Sequence, residues 1–353
     1  MIATLTADCT LAQKAAILRF IEGYGLRVHV GEAGSTTVVS VIGDYEPGMA
    51  ESIGVLVGVA SVSTEAPLYP FVAREARNSP TTVRVADVVV GGPEIVVIAG
   101  PCSVESEGQI NRIAAGVARD GAVLLRGGAF KPRTSPYSFQ GMGEEGLELL
   151  AAARGATGLG VVSECVAPED VPLLNRYVDM LQVGSRNMQN FRLLSAVGEQ
   201  PKPVLLKRGL MSTIEELLLA AEYIVGSGNP RVVLCERGIR SFDTATRGIL
   251  DISAVPVLKE RTHLPVIIDP SHAAGRRSLV PSLAAAGIAA GADGLIIEVH
   301  DRPEEALSDG PQSLTLEGFA ETMNRVRRIA DALDRPVAEL HAIRNTQNAE
   351  HPT

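Results

Sequence analysis

Between Ile95 and Val299 short apolar runs alternate with longer segments in which Ala, Leu and Glu mix. Eight such runs follow one another, over 94–100, 122–125, 160–162, 180–183, 203–206, 231–234, 265–268 and 294–297. They are rich in Val, Ile and Leu and lack polar alternation, which suits strands buried on both faces. The segments between them are long enough for helices, so the pattern predicts repeated βα units. Eight units make a (β/α)8 TIM barrel, an α/β fold that carries its active site at the C-terminal strand ends. Those ends are chemically loaded. In chain order they lead into Cys102, Arg126, Glu164, Arg186, Lys207, Arg237, Asp269 with His272, and Glu298. Such ends could merely solvate a rim, but strand after strand selects a phosphate-binding or metal-binding side chain.

The polar and apolar positions ahead of the barrel follow a different order. Residues 1–7 are strand-like, and 10–24 carry apolar residues at helical spacing behind Thr10 as a cap. A strand over 26–31, a turn over 33–35 and a strand over 36–42 follow. A helix from Pro47 to about Gly58 and a strand over 59–63 complete the set. The order β-α-β-β-α-β predicts a small ferredoxin-like domain over 1–75. Pro67, Pro70 and the polar stretch 74–82 predict a linker, and 82–90 a hairpin closing the bottom of the barrel, so that 76–92 connects to a barrel over 93–340. Beyond Pro336 the chain turns polar, and 341–353 reads as a tail that frays at its end.

Length and charge narrow the class. The chain has 353 residues, more than the roughly 250 of a bare barrel, which leaves room for the extra domain. No segment reaches the ~18–20 consecutive apolar residues of a membrane span, and no basic region precedes an apolar core at the start, so a cytoplasmic protein is expected. Four cysteines, Cys9, Cys102, Cys165 and Cys235, lie far apart without a CxxC pair, which fits a reducing compartment. The net charge is -9, aromatic residues are 4% and Trp is absent, so no basic or stacking surface for nucleic acid is present.

Positive charge is instead local. Gly127-Gly128-Ala129-Phe130-Lys131-Pro132-Arg133-Thr134-Ser135-Pro136 follows Arg126, with glycines that let backbone approach an anion and cations that supply a point charge and a planar fork. Arg186, Lys207 and Arg237 add a second group, and two groups of cations imply two anionic ends. A rim of ion pairs to Glu164, Glu236 and Asp243 would neutralise only part of that charge. Around a closed barrel the first and eighth strands are neighbours, so Cys102, the Asp269 to His272 turn, Glu298 to His300 and Ser308-Asp309-Gly310 come together. A thiolate, an imidazole and two carboxylates there form a divalent-metal site suited to Mn, Fe, Co, Zn or Cu rather than to Mg or Ca alone. A single buried Cys is usually only a small hydrophobe. Four donors on adjoining loops are a different matter.

At these residues the chain resembles the type I-beta 3-deoxy-D-arabino-heptulosonate 7-phosphate (DAHP) synthases. The matching motifs are Ala99-Gly100-Pro101-Cys102-Ser103, Leu125-Arg126-Gly127-Gly128, the stretch KPRTSPYSFQG from Lys131 to Gly141, Gly184-Ser185-Arg186-Asn187, Leu206-Lys207-Arg208-Gly209, Cys235-Glu236-Arg237-Gly238, Asp269-Pro270-Ser271-His272 and Leu307-Ser308-Asp309-Gly310. They extend from about Pro93 to about Leu333 and are together highly specific. The start of the chain is similar, with a weaker signal, to the ferredoxin-like domain some members carry, and no chorismate mutase fusion is visible. Departures are Cys165 after Glu164 and the polar tail.

The resemblance implies condensation of phosphoenolpyruvate with D-erythrose 4-phosphate and water, giving DAHP and phosphate, at the first step of the shikimate pathway. It implies one divalent metal ion held by Cys102, His272, Glu298 and Asp309, acting as a Lewis acid on the aldehyde. It assigns Arg126, Lys131, Ser185, Arg186, Lys207 and Arg237 to phosphoenolpyruvate, with Asp269 beside them, and Lys131, Pro132, Arg133, Thr134 and Ser135 to erythrose 4-phosphate. Lys131, Glu164, Lys207 and His272 are the catalytic candidates, with Glu164 and Lys207 positioning a water that adds to phosphoenolpyruvate. No covalent intermediate is needed, so the lysines are electrostatic or proton-handling groups rather than Schiff-base formers. The related 3-deoxy-D-manno-octulosonate 8-phosphate synthases have a Lys-Ala-Asn-Arg-Ser-Ser type loop where this chain has Lys-Pro-Arg-Thr, which favours the four-carbon aldose here over arabinose 5-phosphate. A class I aldolase would not need the metal donors, and a non-catalytic phosphate-sensing barrel would lack some of them. Resemblance to regulated members further implies a homotetramer and an aromatic effector, Tyr or Phe, bound by the small domain as it closes over the barrel mouth.

Overall fold

The computed structural model describes residues 1–33, 36–64, 68–77, 79–131, 135 and 137–340. The chain forms two compact units, Met1–Ser79 with Arg261–His263, and Pro80–Glu260 with Leu264–Thr353.

The first unit is built from β1 (Ile2–Leu5), α1 (Leu11–Glu22), β2 (Arg27–Ala33), β3 (Thr36–Ile42), α2 (Met49–Gly54) and β4 (Val59–Ser63). Its sheet has the order β2-β3-β1-β4 with antiparallel neighbours, the ferredoxin-like plan. Thr10 caps α1 through a capping box with Gln13. Ile17 and Ile21 on one face of α1 meet Ala3, Leu5, Val39, Val41 and Ile53 in a single core. The helix expected from Pro47 to Gly58 covers only Met49–Gly54. Gly48 before it and Gly58 after it have left-handed backbones, and the intervening Val55 and Val57 are exposed and β-branched, so nothing extends the helix. Of the turn expected over 33–35, positions 34 and 35 lie outside the described residues, as do Pro67 of the expected linker and the tail 341–353. Tyr69, Phe71, Val72 and Ala73, which lie between Pro67 and the polar stretch 74–82, are buried. Phe71 fills the space a side chain on Gly31 would need, and its carbonyl lies 2.8 Å from Nε2 of His263.

The second unit opens with a hairpin of β5 (Val83–Val85) and β6 (Val88–Val90). The barrel then runs through β7 (Val96–Gly100), α3 (Glu107–Asp120), β8 (Leu124–Arg126), α4 (Glu144–Thr157), β9 (Gly160–Cys165), α5 (Val171–Tyr177), β10 (Met180–Val183) and α6 (Phe191–Gly198). It continues through β11 (Val204–Lys207), α7 (Ile214–Gly226), β12 (Val232–Glu236), α8 (Ala254–Arg261), β13 (Val266–Ile268), α9 (Pro270–Ala274), α10 (Val280–Ala289), β14 (Gly294–Glu298) and α11 (Leu316–Ala332). Strands β7 to β14 pair in parallel and close into a barrel through β14 and β7, as the eight apolar runs predict. Alternate residues fill its interior, among them Val96, Ile98, Leu124, Val162, Met180, Leu205, Val233, Ile267 and Ile296. Val83, Val85 and Val90 of the hairpin join the same cluster, which is sealed at that end and so leaves the chemistry to the other. No helix among the described residues is long and apolar enough to cross a membrane.

Candidate active site

Barrel closure sets the position of the donor atoms. β14 pairs with β7 so that Glu298 stands opposite Gly100, two residues before Cys102. Cys102 Sγ, one oxygen of Glu298 and one of Asp309 lie within 4.8 Å of one another. The Cys102 thiol donates to Asp309 Oδ2 at 3.2 Å. His272 Nε2 lies 3.3 Å from Glu298 Oε1 and 3.8 Å from Asp309 Oδ2. His300, the other imidazole near the eighth strand, is engaged elsewhere: its Nδ1 accepts from the Arg302 amide at 3.0 Å and its Nε2 lies beside Gln109 and Glu105.

Asp269 orients His272. It caps α9, where its Oδ1 accepts from the His272 amide at 2.9 Å, and its Oδ2 takes both His272 Nδ1 at 2.7 Å and Lys207 Nζ at 2.5 Å. Burial opposes charge on this carboxyl, yet His272 and Lys207 hold it well below the usual carboxylate range. Contact with Asp269 at Nδ1 orients the ring so that Nε2 points toward Glu298 and Asp309. Asp269 itself has no exposed surface and does not line the cavity, so the structure puts it behind Lys207 and His272.

The donors suit an ion. Glu298 Oε1 is buried and accepts no hydrogen bond, although the Arg126 guanidinium forms an ion pair with it at 3.2 Å. Burial pushes the Cys102 thiol up to about 12, while Lys131, which donates to the sulfur at 3.2 Å, pulls the other way. Against burial, His272 and Arg247 keep Asp309 below its usual range. Asp309 also has a left-handed backbone, φ 52, a conformation that non-glycine residues adopt at a cost and that clusters at functional sites. A thiol, an imidazole and two carboxylates with an unsatisfied oxygen match a borderline divalent ion of the Mn, Fe, Co, Zn or Cu class.

A cavity opens over this cluster. Cys102, Arg126, Lys131, Glu164, Ser185, Arg186, Lys207, Arg237, His272 and Asp309 line it, which brings together ten of the residues singled out from the sequence. Two glycines make room for them. A Cβ on Gly184 would stand 1.9 Å from Glu164 Oε1, and one on Gly128 2.4 Å from Lys131 Nζ. The cations are short of partners. Arg126 Nε and Nη1 are buried without a hydrogen bond, and among the described residues Arg186 and Arg237 are in no ion pair. Glu236 pairs with Arg208 at 2.8 Å and Lys207 with Asp269, while Glu164 and Asp243 join no ion pair among the described residues, so the alternative of a rim of ion pairs to Glu164, Glu236 and Asp243 does not account for this wall. Each buried donor left unsatisfied costs about 1–3 kcal/mol, which an anion would recover.

Ser135 is exposed and is not among the lining residues, and Pro132, Arg133 and Thr134 lie outside the described residues. Gln182, Arg240 and Arg247 also line the cavity and were not read from the sequence. Gln182 had a signal, as a lone polar residue inside the apolar run 180–183. Arg240 and Arg247 sit in the loop between β12 and α8, where no periodic pattern marks them.

Comparisons with known proteins identify the family. The DAHP synthetase I family profile matches residues 72–332, and that of the DAHP synthase ferredoxin-like domain residues 1–64. A phospho-2-dehydro-3-deoxyheptonate aldolase from Thermotoga maritima is 48% identical over 333 residues, 94% of this chain and 98% of that protein. A 2-dehydro-3-deoxyphosphooctonate aldolase from Koribacter versatilis is 32% identical over 276 residues, 72% of this chain and 98% of its own. The crystal structure of the Thermotoga maritima DAHP synthase is similar with a TM-score of 0.77 at 47% identity, covering 96% of this chain and 99% of that one.

Proposed function

This chain belongs to the DAHP synthetase I family and condenses phosphoenolpyruvate with erythrose 4-phosphate, and we propose that it does so in the cavity above Cys102. The octulosonate synthases are more distant relatives, at 32% identity against 48%. The observation that carries the placement is a wall of cations beside a cluster of metal donors, in which Arg126 keeps two buried nitrogens without a hydrogen bond and Arg186 and Arg237 join no ion pair among the described residues. Arg126, Lys131, Ser185, Arg186, Lys207 and Arg237 are read as the cradle for the phosphate and carboxylate of phosphoenolpyruvate, where Arg supplies planar two-point contacts. Lys131 with Pro132, Arg133, Thr134 and Ser135 takes erythrose 4-phosphate. Cys102, His272, Glu298 and Asp309 would hold a divalent ion, which when bound supplies Lewis acidity at the aldehyde.

The remaining steps fall to the chain's own groups. The methylene carbon of phosphoenolpyruvate forms the new bond to the aldehyde carbon, and positive character grows on its neighbour. Glu164 and Lys207 hold the water that adds there, with a Glu164 carboxylate oxygen accepting its proton. The former aldehyde oxygen takes up the proton that Glu164 received and becomes the hydroxyl; carbon–oxygen cleavage of the resulting hemiketal, with its hydroxyl proton passing to the departing phosphate, leaves the ketone, so one water is consumed and no enzyme adduct forms. The cations act by fixed electrostatics, pre-arranged by the strands that carry them.

Residues 1–75 are read as a regulatory domain that takes Tyr or Phe, 76–92 as the connection, 93–340 as the catalytic barrel and 341–353 as a tail, in a cytoplasmic homotetramer. The ferredoxin-like domain supports regulation.

The cradle is tested by Arg186→Ala. The Michaelis constant for phosphoenolpyruvate should rise at least tenfold (about 1.4 kcal/mol of binding) with that for erythrose 4-phosphate little changed, whereas Arg133→Ala should do the reverse. Equal effects of both substitutions on both substrates would refute the two-pocket assignment.

A further inference from the structure

Each carboxylate of the metal cluster has two oxygens, and the structure treats them differently. Asp309 Oδ2 faces the Cys102 thiol and His272, while Oδ1 accepts from Arg247 Nη1 at 2.9 Å. Glu298 Oε1 faces His272 and has no hydrogen bond, while Oε2 accepts from Gln312 Nε2 at 2.5 Å. The two outer oxygens are joined. Arg247 Nη1 donates to Gln312 Oε1 at 2.8 Å, so one guanidinium nitrogen touches both Asp309 and Gln312. A guanidinium only donates, so the Gln312 oxygen must face it, and the amide nitrogen is thereby turned toward Glu298. Gln312 is 2% exposed and has no solvent to bond to instead.

We propose that Arg247 and Gln312 are positioning residues that clip the outer oxygens of Asp309 and Glu298, leaving one inner oxygen of each to bind a divalent ion. The clip makes both carboxylates single-atom donors, which limits coordination to four donors from the chain. It also holds Asp309 in its left-handed backbone, because the side chain is tied at Oδ1 and the Asp309 carbonyl accepts from Ser313 Oγ at 3.0 Å. Neither residue contacts the ion. Partners of this kind orient ligands, and their loss typically weakens metal affinity about 10- to 100-fold. The inference rests on the metal centre proposed above.

The test uses the full-length chain stripped of metal and titrated with Co2+ alone. Affinity is read by competition with a chromophoric chelator, and ligation by the thiolate-to-cobalt absorption. Gln312→Leu and Arg247→Met should each weaken Co2+ about 10- to 100-fold and alter the thiolate band. The melting midpoint of the metal-free protein, expected to fall because a buried carboxylate oxygen loses its donor, is measured alongside so that the loss of Co2+ affinity is read on folded protein. The double variant should lose less than the product of the two single losses, since each removes the same link. Arg247→Lys, which keeps a cation beside Asp309 and the fold with it, should recover part of the affinity and serves as the reading if Arg247→Met does not fold. Wild-type affinity in Gln312→Leu and Arg247→Lys, with or without a lowered melting point, overturns the clip. A wild-type chain with no thiolate band, or Cys102→Ala binding Co2+ as tightly, overturns the metal centre instead.

Discussion

Asp269, a carboxylate with no exposed surface, is shared through one oxygen by Lys207 and His272. Removing its charge leaves a buried ammonium without a partner, a change that costs about 3–5 kcal/mol in comparable buried pairs. Asp269→Asn should therefore lower stability at pH 7 by about 3 kcal/mol, measured by urea unfolding. The sign with pH follows from the lowered folded value of Asp269. Its contribution is present above the unfolded carboxylate value of about 4 and is lost as the pH falls through the lower folded one. Wild type and variant should thus converge in acid, and equal stability at pH 7 would contradict the assignment. At this scale the sequence was a good guide where a charged residue ends an apolar run, as Arg126, Lys207 and Glu298 do. It was silent about Arg247 and Gln312, because Arg247 meets Asp309 and Gln312 across 62 and 65 positions, and such pairings leave no local pattern.

Among the elements, the barrel strands were readable because a parallel sheet covered by helices on one side and filled on the other demands unbroken apolar runs. Strand 180–183 was predicted with its observed limits, and 36–42 and 59–63 likewise. Ends moved where the apolar pattern outran or fell short of the pairing. β9 continues to Cys165 because Glu164 and Cys165 still pair with Gln182 and Val183. The short α2 shows the opposite case, in which flanking glycines override helical spacing. The segment 261–263 could not have been assigned to the first unit from the sequence. Its link there, Thr262 to the Val72 carbonyl, spans 190 positions and gives no periodic signal.

For the molecule as a whole, a net charge of -9 coexists with a strongly cationic cavity. Total charge thus says little about the substrate, whereas the placement of cations at strand ends says much. The barrel's fold and chemistry were legible because eight separate strand ends agree. The small domain's role was less so, since its sequence carries only apolar helix faces and no cluster of functional side chains. If it is regulatory, millimolar Tyr or Phe should inhibit the full-length enzyme, and deletion of residues 1–75 should leave turnover that no longer responds. A full-length enzyme indifferent to both would assign the domain to subunit contacts alone. An effector acts only through unequal affinity for two arrangements.

The most direct test of the central claim is phosphoenolpyruvate consumption with erythrose 4-phosphate by chelator-treated full-length protein, before and after a divalent ion is returned. Turnover should be lost on chelation and restored in the wild type but not in Cys102→Ala, and arabinose 5-phosphate should support little. Full turnover in the chelated wild type, or restoration in Cys102→Ala, would contradict a metal-assisted condensation at this site.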